Sequence, residues 1–180
     1  MPLDIGVGIL LAAGIAEVFG VPLTPVLVVF GIVAALFPDI DIVTAAFGRW
    51  RHREITHYPL LYVPVCAAAF FFLPLPYAVL LTLGIAAHFV HDTIGIGWGI
   101  AWLWPFSRRK FLLFPEQARR RVLGRVVTWL PGDEVRLRSL QYEGASSTWV
   151  RDFYFRPNLL AYVEYGVLLV AGLVLLTYIW

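Results

Sequence analysis

Residues 159–180 read LLAYVEYGVLLVAGLVLLTYIW, an unbroken apolar stretch whose single charged residue is Glu164. Wound as a helix rising ~1.5 Å per residue, it is long enough to cross a hydrocarbon core of ~30 Å. Residues 60–73 and 77–89 likewise contain no Asp, Glu, Lys or Arg. Over its 180 residues the chain is 60% hydrophobic and only 14% charged, whereas a soluble domain carries about a quarter of its residues charged. A water-soluble fold has no way to cover that much apolar surface. The expected fold is therefore all-α, a polytopic membrane helical bundle of four or five spans.

Upstream, residues 3–37 form an apolar region broken by Gly20, Pro22 and Pro25. It is too long for one straight crossing and is either a helical hairpin or one bent span, which leaves the side of the N-terminus open. No basic residue precedes this region, so it reads as mature membrane sequence and not as a cleavable signal peptide. Residues 37–58 are polar and basic, a surface loop or short helix. Residues 55–73 then enter the membrane until Pro74 and Pro76 mark a tight turn, and residues 76–92 return. The stretch ending at Tyr58 and the one beginning near Asp92 must therefore share a side.

Charge identifies that side. All 14 Lys and Arg fall within residues 49–53 or 108–156, although the net charge is only +2. Beside membrane spans such clustering reads as the positive-inside signal of a cytoplasmic face, in the cell (inner or cytoplasmic) membrane, and nucleic acid is not an expected partner. Residues 95–106, with three glycines, three tryptophans and Pro105, suit an interfacial or re-entrant segment. Residues 107–157 are the basic cytoplasmic or interfacial part of a single membrane domain spanning 1–180. Within them Pro115 and Glu116 open an expected amphipathic helix to about Leu130, stopped by Pro131-Gly132-Asp133. Its Arg119, Arg120, Arg121 and Arg125 either meet anionic lipid headgroups or form a solvated face. Cys66 has no partner cysteine, so neither a disulfide nor a thiolate metal site is available. No internal repeat is present.

All four histidines, His52, His57, His88 and His91, lie with Asp39, Asp41 and Asp92 in short stretches that this topology brings to one face. Phe37-Pro38-Asp39-Ile40-Asp41 ends an apolar helix with two carboxylates, which either chelate a cation or cap the helix. Arg51-His52-Arg53-Glu54-Ile55-Thr56-His57 combines imidazoles that bind metal with guanidinium groups that hold phosphate; the alternative is a plain interfacial loop. His88 and Asp92 stand four apart on one helical face, a pair able to grip one ion. Ionisable groups at a membrane helix are costly without a partner, which favours function. His91 is a ligand, a supporting group or merely interfacial, and Glu17 and Glu164 are ligands, proton relays or ion-pair partners.

Pro38-Asp39-Ile40-Asp41, His52-Arg53-Glu54-Ile55-Thr56-His57, His88 with Asp92, and Leu103-Trp104-Pro105-Phe106-Ser107, in that order, resemble the YdjM-like membrane-bound metal-dependent hydrolases. The resemblance covers roughly residues 30–110 and implies the ligand set Asp39, Asp41, His57, His88 and Asp92, while the placement of His91, Glu17 and Glu164 makes them additional candidates apart from it. The chain departs from that pattern in three places. Tyr58 stands where many relatives have a small hydroxyl residue, His91 occupies a position usually not histidine, and the first helix lacks the histidine that relatives often carry, leaving Glu17 or nothing as a substitute.

The expected function is a metal-dependent hydrolase at the cytoplasmic membrane face, using one or more divalent ions, of which Zn2+ suits mixed His and Asp ligands best. Arg53, Asp41 and His52 are the expected catalytic residues. The metal lowers the pKa of a water to ~7, a carboxylate left over from the ligand set acts as base, and Arg53 stabilises developing charge. A phosphoester, of a phospholipid type, fits a site at headgroup depth among arginines. The contrasting expectation is a non-catalytic metal-binding bundle or a transporter, though a transporter more often places its ionisable groups near the bilayer midplane.

Overall fold

Gly20, Pro22 and Pro25 resolve the first apolar region into a hairpin of two helices, α1 (Pro2–Phe19) and α2 (Pro25–Leu36). Gly20 takes a left-handed conformation at φ 61°, and the amides of Gly20 and Val21 turn back to the carbonyls of Glu17 and Ala16. That is the geometry by which glycine closes a helix C-terminus. Thr24 then caps α2, its hydroxyl accepting from the Leu27 amide at 3.2 Å, with Pro25 in the first turn where no amide is needed.

The computed structural model describes residues 2–40, 56–94, 99–113, 127–131 and 159–179. Beyond the hairpin come a 3-10 turn over Phe37–Ile40, a second over Pro59–Leu61, α3 (Tyr62–Phe72), α4 (Leu75–Thr93), the strands β1 (Lys110–Leu113) and β2 (Val127–Leu130), and α5 (Leu159–Ile179). Pro74 and Pro76 make the turn between α3 and α4, as their fixed φ demands. Helix α3 begins at Tyr62, later than the expected entry near Ile55, because Thr56 and His57 lie in a turn and Pro59 opens the 3-10 segment.

Pro2–Phe19, Leu75–Thr93 and Ala161–Tyr178 are long and apolar enough to cross a membrane, whereas Pro25–Ile40 and Pro59–Phe72 are apolar but shorter. Helix α1 packs on α2, α4 and α5, and α4 packs on α1, α2 and α3. Small residues make many of the contacts between helices. Ala12, Ala34, Ala35, Ala78 and Ala171 are buried, while Phe71 and Phe72 are each 84% exposed. A bundle in lipid gains nothing by hiding large apolar groups, and its helices approach through small ones. At Gly8 a Cβ would lie 2.6 Å from the Gly31 carbonyl oxygen, so α1 and α2 meet backbone to backbone.

The short β-hairpin pairs antiparallel, Lys110 opposite Leu130 through Leu113 opposite Val127. It hangs from the end of α4, with Ile100 and Phe111 exchanging amide bonds of 3.0 and 2.8 Å and Ile94 bridging to Leu113. The expected helix reaching Leu130 is corrected here. Residues 127–130 are a strand, because Val127, Thr128 and Trp129 are β-branched or aromatic and favour a pleated surface. Residues 115–126 of that expectation lie outside the described residues.

Candidate metal centre

The turn after α2 carries Asp39, the turn before α3 carries His57, and the last turns of α4 carry His88 and Asp92 one above the other. These elements end at one level of the bundle, and their side chains converge. His57 Nε2 lies 3.4 Å from Asp39 Oδ1 and 3.3 Å from Asp92 Oδ2. His88 Nε2 lies 3.6 Å from Asp39 Oδ1 and 3.9 Å from Asp92 Oδ2. Ligands ~2.05 Å from a tetrahedral ion stand about 3.3 Å apart, a spacing that the edges of His57 to Asp39 and to Asp92 approach. Asp39, His57 and His88 alone bring ligand atoms within 4.8 Å of one another.

Two details favour a cation over a closed hydrogen-bond network. Asp39 Oδ1 and His88 Nε2 are buried without a hydrogen-bond partner, an arrangement that costs free energy unless something else satisfies them. His88 Nδ1 lies 2.9 Å from the Ala35 carbonyl oxygen. A carbonyl only accepts, so Nδ1 carries a proton and Nε2 is the nitrogen turned towards the cluster. His57 Nδ1 pairs with the Thr56 hydroxyl at 3.0 Å, a group able to donate or accept, which orients the ring. Asp39, His57 and His88 therefore fit a divalent ion, with two imidazole nitrogens and a carboxylate oxygen as donors and Asp92 beside them.

Aromatic rings form the floor. Phe89 lies edge-on to Tyr62, His57 and His88, and with Tyr62, Ile85 and Ile100 it makes the apolar cluster beneath the donors. Tyr58 stacks on Trp104 at 4.5 Å and 8° between planes, which ties the turn bearing His57 to the segment following α4. The Trp102 indole donates to the Thr93 hydroxyl at 3.0 Å, and that hydroxyl donates to the Phe89 carbonyl.

Of the residues singled out from sequence, Asp39, His57, His88 and Asp92 come together, and His91 and Glu164 lie alongside, with His91 Nε2 at 3.5 Å from Glu164 Oε1. Asp41, His52 and Arg53 lie outside the described residues. Glu17 does not join the cluster and cannot substitute for a first-helix ligand. It sits at the opposite end of α1, where it accepts a 2.6 Å hydrogen bond from the Tyr178 hydroxyl. Sequence reasoning missed Asp4, which occupies the first turn of α1, is 3% exposed, and meets His91 Nδ1 at 2.9 Å and His88 Nδ1 at 3.4 Å. The rule that drew attention to Glu17, an acid within an apolar helix, applies equally to Asp4. Because α1 starts beside His91, its N-terminal end lies on the side of the candidate site.

The sequence model of the YdjM inner membrane protein family matches residues 4–179. No curated protein and no solved structure matches the chain significantly.

Proposed function

The chain belongs to the YdjM inner membrane protein family, and on that premise we propose that it is a membrane-embedded, metal-dependent hydrolase acting on a phosphoester of a phospholipid type at the cytoplasmic face. The observation that carries this reading is the convergence of Asp39, His57 and His88 at the ends of apolar helices, with donor atoms close enough to share one ion and Asp92 alongside. Zn2+ is the proposed ion, since imidazole and carboxylate donors without thiolate suit it.

A bound divalent ion supplies Lewis acidity, to the phosphoryl group and to an attacking water. The chain's own residues supply the rest. Ala35 and Thr56 fix the ring orientations of His88 and His57, and the Phe89 floor excludes water from beneath the donors. At the rim, Leu103 and Phe106 are exposed apolar groups followed directly by exposed Arg108 and Arg109. This combination suits the boundary between acyl chains and anionic headgroups, and it supports a lipid phosphoester over a soluble substrate. The clustering of arginines supports the cytoplasmic side.

The test is elemental mass spectrometry on detergent-purified wild type, His88→Ala and Asp39→Ala, with phospholipid and phosphoester hydrolysis measured on the same samples. One transition-metal ion per chain, lost in both variants together with turnover, is the expected result. Metal without turnover across the panel would favour the non-catalytic metal-binding reading. No metal after loading with zinc would overturn the proposal.

A further inference from the structure

Behind the proposed donors lies a second set of buried polar groups that the site as described does not use. Asp4 of α1, His91 of α4 and Glu164 of α5 come from three different helices and meet in a line. The His91 ring presents Nδ1 to Asp4 Oδ1 at 2.9 Å and Nε2 to Glu164 Oε1 at 3.5 Å. Asp4 Oδ1 lies in turn 3.4 Å from Nδ1 of His88. Asp4 and Glu164 are both buried. Collecting two carboxylates inside an apolar bundle is costly, so their common orientation through His91 towards the back of His88 calls for a cause.

We propose that Asp4 is a positioning residue of the metal centre, a carboxylate held by His91 and Glu164 against the rear nitrogen of His88. The inference rests on the metal centre proposed above. A carboxylate near the N–H of a ligating imidazole holds the ring's tautomer and orientation and increases electron donation from the opposite nitrogen. Here the Ala35 carbonyl takes the Nδ1 proton at 2.9 Å, and the negative charge of Asp4 adds to it from the side. His91 holds Asp4 in place, and Glu164 brings α5 into the same chain of contacts. Asp4 acts through His88, whose Nδ1 it faces.

The experiment is a titration of the full-length, metal-free protein in detergent with Co2+, whose visible absorption reports the ligand field, in wild type, Asp4→Asn and Glu164→Gln. Wild type is expected to take up one ion. Asp4→Asn should bind the same number with an affinity lower by about 10- to 100-fold and with shifted bands, since loss of an outer-shell partner has effects of that size. Glu164→Gln, one contact further away, should shift both readouts in the same direction by less. Wild-type affinity and spectrum in Asp4→Asn would overturn the inference while leaving the metal centre intact. A lower melting temperature of the metal-free variants with an unchanged spectrum would also overturn it, as a merely structural tie. If Asp4→Asn does not fold, Glu164→Gln decides in the same way. Failure of wild type to bind Co2+ would overturn the metal centre first and this inference with it.

Discussion

Replacing Gly84 by alanine should damage both the packing of α4 and its grip on metal. A Cβ at Gly84 would lie 2.8 Å from the Ala34 side chain and 2.9 Å from both the Ala34 carbonyl carbon and the Ala35 amide nitrogen. Carbon atoms in ordinary contact stand about 3.5 Å apart, so α4 must move off α2 by roughly 0.7 Å. The obstructing atoms are a short side chain and backbone, and none can rotate away. His88 lies one helical turn further along, bonded to the Ala35 carbonyl at 2.9 Å. The same displacement lengthens that bond to roughly 3.6 Å, outside hydrogen-bonding range. Overpacking of this kind costs about 1–3 kcal/mol, and loss of the bond that orients a ligand lowers metal affinity about 10- to 100-fold. Thermal unfolding of the metal-free protein in detergent and a Zn2+ competition titration measure the two effects. Gly14→Ala is the control, since nothing lies within 4 Å of its Cβ; it should leave metal binding unchanged and favour the helix by up to about 1 kcal/mol. A lowered melting temperature with unaltered affinity would refute the link between this crossing and His88, and no change in either would refute the packing argument.

Tyr178→Phe removes the hydroxyl that donates to Glu17 at the far end of the bundle and should leave metal affinity at the wild-type value; a weakened titration would show that the two ends communicate. Chelation should lower the melting temperature of wild type, because an ion present at a hundred times its Kd contributes about 2.7 kcal/mol to the folded state; His88→Ala should show no such response in paired melts with and without Zn2+. Trp104→Ala removes the stack on Tyr58 and should reduce stability by about 0.5–1.5 kcal/mol, with Trp104→Phe retaining most of it. Equal melting curves for the two Trp104 variants would rule the stack out as a stabilising contact.

The helical membrane class was legible because apolar length and the near absence of charge in residues 159–180 exclude most other solutions. Gly20, Pro22 and Pro25 marked where the first region breaks, but they did not distinguish a bend from a hairpin, which depends on the contact of Gly8 with Gly31. The helices are apolar on nearly every side, so periodicity says little about which face turns inward; residue size does, through Ala12, Ala34 and Ala35. His88 and Asp92 could be paired from their spacing alone. Asp4 could not, because its partner His91 is remote in sequence and their meeting depends on the packing of α1 against α4. Glu17 illustrates the converse. Acidity within an apolar helix marks a residue as important without saying which end of the bundle it serves.

Helices α1 and α5 run side by side in the same direction, linked near one end by Asp4, His91 and Glu164 and at the other by Glu17 and Tyr178. This arrangement leaves His91 dependent on α5 for its enclosure. As the chain leaves the ribosome, Asp39, His57, His88 and Asp92 are all synthesised long before Glu164, so the donors can gather while the groove beside α1 is still open to lipid. Only when the last helix enters and docks along the first is His91 enclosed between its two carboxylates. Docking of α5 along α1 is therefore what closes this side of the bundle over His91, joining two helices that lie far apart in the sequence.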